Sequence, residues 1–117
     1  MKWVYALSIF ALSLDVTAAI YDVTGRPVKI LTDDRSYGGC MVRLEPLVSL
    51  SAPGCGDWVS FDCLGQTGTK SAGQSKYSAA QLGFVTGQNI FLQVDSNVKF
   101  NGLFCKGVRV DNIAPSS

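Results

Sequence analysis

The chain contains no histidine. That removes the commonest general base near neutral pH and the usual partner of a Ser or Cys nucleophile. It has four cysteines but no Cys-x-x-Cys pair. No two thiolates can therefore grip a metal from one turn, which argues against a zinc site built from all four. Charge is sparse: beyond residue 19, nine Lys and Arg stand against eight Asp and Glu, with no basic run or stripe. Nothing in that balance points to nucleic acid or an anionic membrane surface as partner. The longest apolar run, Trp3 to Leu14, is about a dozen residues and ends at Asp15. A bilayer span needs about 20, so the run is too short for a membrane anchor.

The same run fits a secretory signal peptide. Lys2 supplies the positive start, and Val16-Thr17-Ala18 and Thr17-Ala18-Ala19 offer the small residues that a signal peptidase accepts. Residues 1–19 are read as the signal and residues 20–117 as one domain, secreted or periplasmic. About 98 residues remain, too few for a thick core. Cross-links would help, and Cys40, Cys55, Cys63 and Cys105 all lie in this part. An even cysteine count in a short exported chain reads as disulfides.

Punctuation by Gly, Pro and Asp divides the domain. Val28 to Thr32 is the first expected strand, introduced by Gly25-Arg26-Pro27, and Asp33 to Ser36 is a turn. Cys40 to Glu45 is the second strand; after Pro46, Leu47 to Leu50 is an edge continuation or a loop. Asp57 to Cys63 returns as the third strand after the turn Ser51 to Gly54. Folding this hairpin brings Cys40 close to Cys63, since facing residues of an antiparallel pair have Cβ atoms about 4.5–5.5 Å apart. That pairs Cys55 with Cys105, one of three connectivities that four cysteines allow. Leu64 to Lys76 is polar and reads as a surface loop. Its Gly65 to Ser71 stretch is superficially like a phosphate-binding loop. However, Thr69 separates the second glycine from the lysine, which the motif does not permit.

Ser75 to Thr86 is the expected helix, capped by Ser75 or Ser78 and closed by Gly87. Asn89 to Val94 is the fourth strand, Asp95 to Asn97 a turn, and Leu103 to Val110 the fifth strand. The predicted class is all-β with one helix. Five strands, with the helix between the third and fourth, is the plan of an OB-fold-like barrel.

The segment Tyr77 to Asn97, with its aromatic-x-Thr-Gly-Gln turn, joins Gly38 to Leu44 and Trp58 to Cys63 in a familiar order. These stretches, about a third of the domain, resemble the B subunits of subtilase cytotoxin and typhoid toxin. The resemblance implies a homo-oligomer, a ring of five, that binds cell-surface glycans, often sialylated, and carries an enzymatic A subunit. It also implies that the helix lines the central pore and that sugar sites lie on the barrel's outer wall. A hydroxyl residue near the first strand would be Thr24, and the residue five places after the strand-two cysteine, acidic in the subtilase cytotoxin branch, is Glu45. A third contribution would come from the strand after the helix around Leu92, where the family has an aromatic and this chain has Phe91 next door.

Trp58 completes the glycan candidates as an aromatic surface beside polar groups. Each candidate has a plainer role. Trp58 could cover the thin core, Glu45 could pair with Arg43 or Arg109, and Thr24 could serve the turn at Gly25. Of the carboxylates, Asp33-Asp34 suits turn capping, and Asp57 and Asp62 on a regular strand would point to opposite faces. Neither pair spans a cleft as a glycosidase requires. No catalytic residue, cofactor or metal is therefore expected, and the function class is binding. The competing member of that class is a secreted inhibitor or envelope-associated factor, built on the same barrel without a sugar site. N-terminal sequencing of the exported protein is expected to begin at Ala19 or Ile20, and a chain that keeps Trp3 would overturn the signal-peptide reading.

Overall fold

The computed structural model describes residues 19–114, so all of the expected signal peptide except Ala19 lies outside the described residues. The elements are β1 (Ile20–Thr32), β2 (Cys40–Glu45), β3 (Trp58–Ser60), α1 (Lys70–Thr86), β4 (Ile90–Phe100) and β5 (Phe104–Asn112). The sheet closes in the order β1-β2-β3-β5-β4. Every neighbouring pair is antiparallel except β3 and β5, which meet in parallel at Ser60 and Lys106. The expected five-stranded, OB-fold-like barrel with a helix between the third and fourth strands is what the chain forms.

β1 is longer than its sequence signal because it serves two partners. Residues 20–25 pair with β4, and residues 26–32 pair with β2. The register slips between Pro27 and Lys29, leaving Val28 as the extra residue of a bulge beside the proline, which has no N–H to give the ladder. Gly25 and Pro27 weaken the strand pattern, yet closure needs the glycine. A Cβ at Gly25 would come within 3.1 Å of the Leu44 Cβ.

β3 is shorter than predicted. Asp62 has φ 62°, in the left-handed region, so the chain turns away after Ser60. β4 runs on to Phe100 through the predicted 95–97 turn, which survives as a register shift between Asp95 and Lys99. The reversal itself falls at Asn101-Gly102, where both residues have positive φ. Val48–Leu50 is a single 3₁₀ turn, so the segment after Pro46 is a loop and not an edge strand.

The helix corrects the sequence reading most. It starts at Lys70 and not at Ser75, because Thr69 caps it: the Thr69 hydroxyl accepts from the Ala72 N–H at 3.2 Å. Residues 70–74 read as loop because they carry almost no apolar side chains. Gly73 explains why they can be helical. The first turns of α1 lie directly on the backbone carbonyls of Phe61 and Asp62, with room for a hydrogen at position 73 and not for a methyl. At the far end Gly87 takes φ 69° and its N–H bonds the Gly83 carbonyl, closing the helix as predicted.

Inside the barrel, Val23, Val42, Leu44, Val59, Phe61, Ile90, Leu92 and Val94 form the core, with Tyr77 and Ala80 of α1 against them. The Phe61 and Tyr77 rings lie 6.4 Å apart, and the Tyr77 hydroxyl donates to the Leu31 carbonyl at 3.3 Å. Disulfides join Cys40 to Cys63 and Cys55 to Cys105, the predicted pairing, with Cα separations of 5.7 and 5.0 Å. Cross-links of this kind typically contribute about 2–4 kcal/mol each. Two disulfides also fit an oxidising compartment. Gly73→Ala is expected to destabilise the protein by about 2–3 kcal/mol through overpacking of the helix against the Phe61-Asp62 backbone. A urea midpoint unchanged from wild type would contradict this seating of the helix.

Candidate functional site

The strand pleat decides which side chains reach the outer wall. On β1, Val23, Gly25 and Pro27 point inward, leaving Asp22, Thr24 and Arg26 outside. On β4, Ile90, Leu92 and Val94 are buried, and Phe91 and Gln93 face out. On β5, Arg109 and Asp111 share that side. Registers then assemble two cross-strand rows. Thr24 faces Phe91, which faces Asp111, and Asp22 faces Gln93, which faces Arg109.

The rows are tied together by side-chain bonds. Arg109 grips Asp111 with two N–H donors, Nε to Oδ1 at 2.9 Å and Nη2 to Oδ2 at 3.0 Å. This fork geometry is fixed as well as favourable. The Asp111 carboxyl is held below its ordinary pKa chiefly by the Arg109 hydrogen bonds, and the same bonds raise Arg109. The guanidinium also lies over the Phe91 ring, 6.0 Å from its centroid. Gln93 donates from Nε2 to Asp22 Oδ1 at 3.1 Å. Across β1 and β2, Arg26 Nη2 donates to Glu45 Oε1 at 3.0 Å.

Of the four residues predicted from sequence, Thr24 lies on this wall and Glu45 stands beside it at the end of β2, paired with Arg26 of β1 and not with Arg43 or Arg109. Leu92 does not reach it. It is fully buried in the core, and the side chain that β4 presents at this level is Phe91. Trp58 is half-buried at the start of β3, opposite Arg43, two strands away from Phe91. Asp22, Phe91, Gln93, Arg109 and Asp111 were missed as a group. A signal existed in β4: Gln93 shares parity with Phe91, against Ile90, Leu92 and Val94, so period-2 reading assigns Phe91 to the polar face.

The phosphate-loop look-alike is occupied by the protein itself. Asp62, 2% exposed, accepts from Gln66 N–H at 2.8 Å, Thr67 N–H at 2.7 Å and the Thr67 hydroxyl at 2.7 Å. The amides that would cradle a phosphate hold a carboxylate. Burial pushes the Asp62 pKa up, but the Thr67 and Gln66 bonds and the charge of Lys106 outweigh it, and the group stays below its ordinary value. Asp33 is the capping residue expected of its turn, accepting from Arg35 and Ser36 N–H at 2.8 Å each. Asp57 accepts from Ser49 Oγ at 3.0 Å.

At the opposite end of α1, Leu82, Thr86, Gln88, Asn112, Ile113 and Ala114 line an apolar groove of about 300 Å³. Leu82, Phe84, Val85 and Ile113 expose their side chains near it. Among the described residues, no group of three or more His, Cys, Asp or Glu is placed to hold a metal, and no helix is long and apolar enough to cross a membrane. Comparison with protein-family models, with curated proteins and with solved structures finds no match in any of the three.

The Asp62 network sets an acid limit on stability. A carboxyl whose folded pKa is depressed stabilises the protein above its unfolded value, near 3.8, and that contribution is lost as pH falls through the folded value. Asp62→Asn is expected to cost about 2 kcal/mol at pH 7. The gap from wild type should narrow progressively below about pH 4 in urea titrations. A gap that is constant down to pH 2 would show that the charge of Asp62 is not what matters.

Proposed function

We propose that the protein is a secreted glycan-binding subunit that holds sugar on the outer wall formed by β1, β4 and β5. The supporting observation is the row Thr24, Phe91, Asp111, flanked by Arg109 and Gln93: one aromatic ring among fixed donors and acceptors. Sugar recognition needs an apolar surface for the ring face and oriented polar groups for the hydroxyls. The Arg109-Asp111 fork offers both a donor and an acceptor without rearranging on binding, which reduces the entropy cost of recognition. On this reading Thr24 and Glu45 border the sugar.

A single shallow wall binds weakly, and a ring of copies compensates by multivalency. The exposed Leu82 and Val85 on α1, with Leu82 and Ile113 lining the groove, support such assembly, because residues three apart share a helix face and an apolar face is commonly covered by a partner. The proposed assembly is a homo-pentamer that delivers an enzymatic A subunit to a sugar-bearing cell surface. The same apolar face favours one other reading, a secreted inhibitor that docks a protein through α1 and has no use for sugar. Light scattering separates the two: a mass of five subunits supports the ring, and a mass of one supports the inhibitor. In glycan-array binding, Phe91→Ala and Asp111→Asn are each expected to weaken binding at least tenfold with little change in melting temperature. An array on which wild type binds nothing would sink the glycan reading.

A further inference from the structure

The β4–β5 turn reaches the loop between β1 and β2 through one side-chain amide. Asn101 and Gly102 both have positive φ, 55° and 70°, and the Leu103 N–H donates to the Phe100 carbonyl at 3.2 Å. This is the two-residue hairpin turn that Asn-Gly favours. The Asn101 Oδ1 accepts from the Tyr37 N–H at 3.1 Å and so ties the turn to the β1–β2 loop. Tyr37 needs holding, because its φ of 59° lies in the left-handed region that a bulky residue seldom adopts. Its other holds are the Ser60 hydroxyl, which donates to the Tyr37 carbonyl at 2.8 Å, and the Phe104 ring, edge-on at 6.0 Å. The turn stands at the far end of β4 from Phe91, apart from the sugar wall.

The same side chain is chemically the weakest of the four asparagines in the chain. An asparagine is lost when the backbone nitrogen of the next residue attacks its Cγ, and bulk on that next residue hinders the attack. Ile90, Val98 and Ile113 follow Asn89, Asn97 and Asn112, all branched at Cβ, whereas glycine follows Asn101. Asn112 is further restrained, since its Nδ2 donates to the Ala79 carbonyl at 2.9 Å. At the turn both reacting residues are exposed, and among the described residues the Gly102 N–H has no acceptor to hold it back. The Tyr37 N–H is aimed at Oδ1, where negative charge gathers when Cγ is attacked, so it favours that step as an oxyanion donor does.

We propose that Asn101 is a self-modification site: the folded chain converts it to isoaspartate and so releases the β1–β2 loop. The Gly102 nitrogen bonds to Cγ, and the Nδ2 group departs with the Gly102 proton as ammonia. The cyclic imide that remains takes up one water, which breaks one of its two C–N bonds. Breaking the bond to Cγ gives aspartate, and breaking the bond to the main-chain carbonyl gives isoaspartate. In isoaspartate the main chain runs through Cγ, so the turn gains a carbon and Oδ1 becomes a backbone oxygen. Tyr37 then loses the acceptor that helps to hold its backbone.

Purified protein would be aged at neutral and at mildly alkaline pH, beside a reduced, guanidinium-unfolded sample of the same chain. After reduction and tryptic cleavage at Lys99 and Lys106, the peptide 100–106 holds Asn101 and no other asparagine. That peptide is expected to gain isoaspartate, read with isoaspartyl methyltransferase, at least tenfold faster than the peptides holding Asn89, Asn97 and Asn112. The rate should rise with pH, since the attacking nitrogen must lose its proton, and should be no lower in the folded protein than in the unfolded chain. Amide hydrogen exchange reads the hold on the loop. The Tyr37 N–H should exchange at least tenfold faster in the aged protein and in Asn101→Gly, which suits the left-handed turn and lacks the side chain. Asn101→Asp should keep the protection, because it retains the acceptor. An Asn101 that stays an amide in the folded protein, converts more slowly there than in the unfolded chain, or yields aspartate alone would overturn the modification site. Isoaspartate formed with Tyr37 protection unchanged, or an Asn101→Gly protein that exchanges like wild type, would overturn the release of the loop.

Discussion

Position 73 has room for a hydrogen and nothing more, and the placing of the helix follows from that. Because Gly73 lies against the Phe61 and Asp62 carbonyls, the first turns of α1 can close over the barrel at the point where β3 ends. Asp62 must then leave the strand, which it does with a left-handed backbone, and its carboxylate turns back to collect the amides of the following loop. The same contact brings Tyr77 to Phe61 and seats Ala80 in the core. A buried carboxylate is costly without partners, and three short hydrogen bonds make it an anchor for the loop. Loop, helix and barrel therefore stand or fall together in this region, and the Cys40–Cys63 bridge runs through the same junction.

With the barrel closed in this way, the outward face of β1, β4 and β5 is free to be polar. Its charged groups do not reach loosely into water. Arg109 with Asp111, Gln93 with Asp22, and Arg26 with Glu45 are each locked in cross-strand or near-neighbour pairs. Exposed pairs of this kind contribute little to stability. What they provide is fixed direction, and a surface that recognises hydroxyl groups gains from directions set before binding.

Much of the architecture was legible because it rests on local chemistry. The alternation of β4, the Gly87 cap, the hairpin that joins Cys40 to Cys63, and the order of strands and helix are all short-range statements about pleat, turn and cap. The first half of β1 was not legible. Gly25 and Pro27 disfavour a strand taken alone, and only closure against Leu44 and Glu45 makes them suitable. The helix start at Lys70 was hidden for the same reason, since a polar, glycine-bearing turn forms helix where it meets a carbonyl surface.

Candidate site residues divided along the same line. Thr24 and Glu45 came from the resemblance to toxin B subunits, and parity in β4 distinguishes Phe91 from Leu92. Their company could not be read: that Thr24 stands beside Phe91 and Asp111 depends on which strands become neighbours and in what register. By itself the sequence determined a histidine-free, disulfide-braced chain of short strands and one helix, because composition, cap and pleat act within a few residues. Only the tertiary structure decided which polar side chains share a wall, because that follows from barrel closure and a bulge, contacts between residues far apart along the chain.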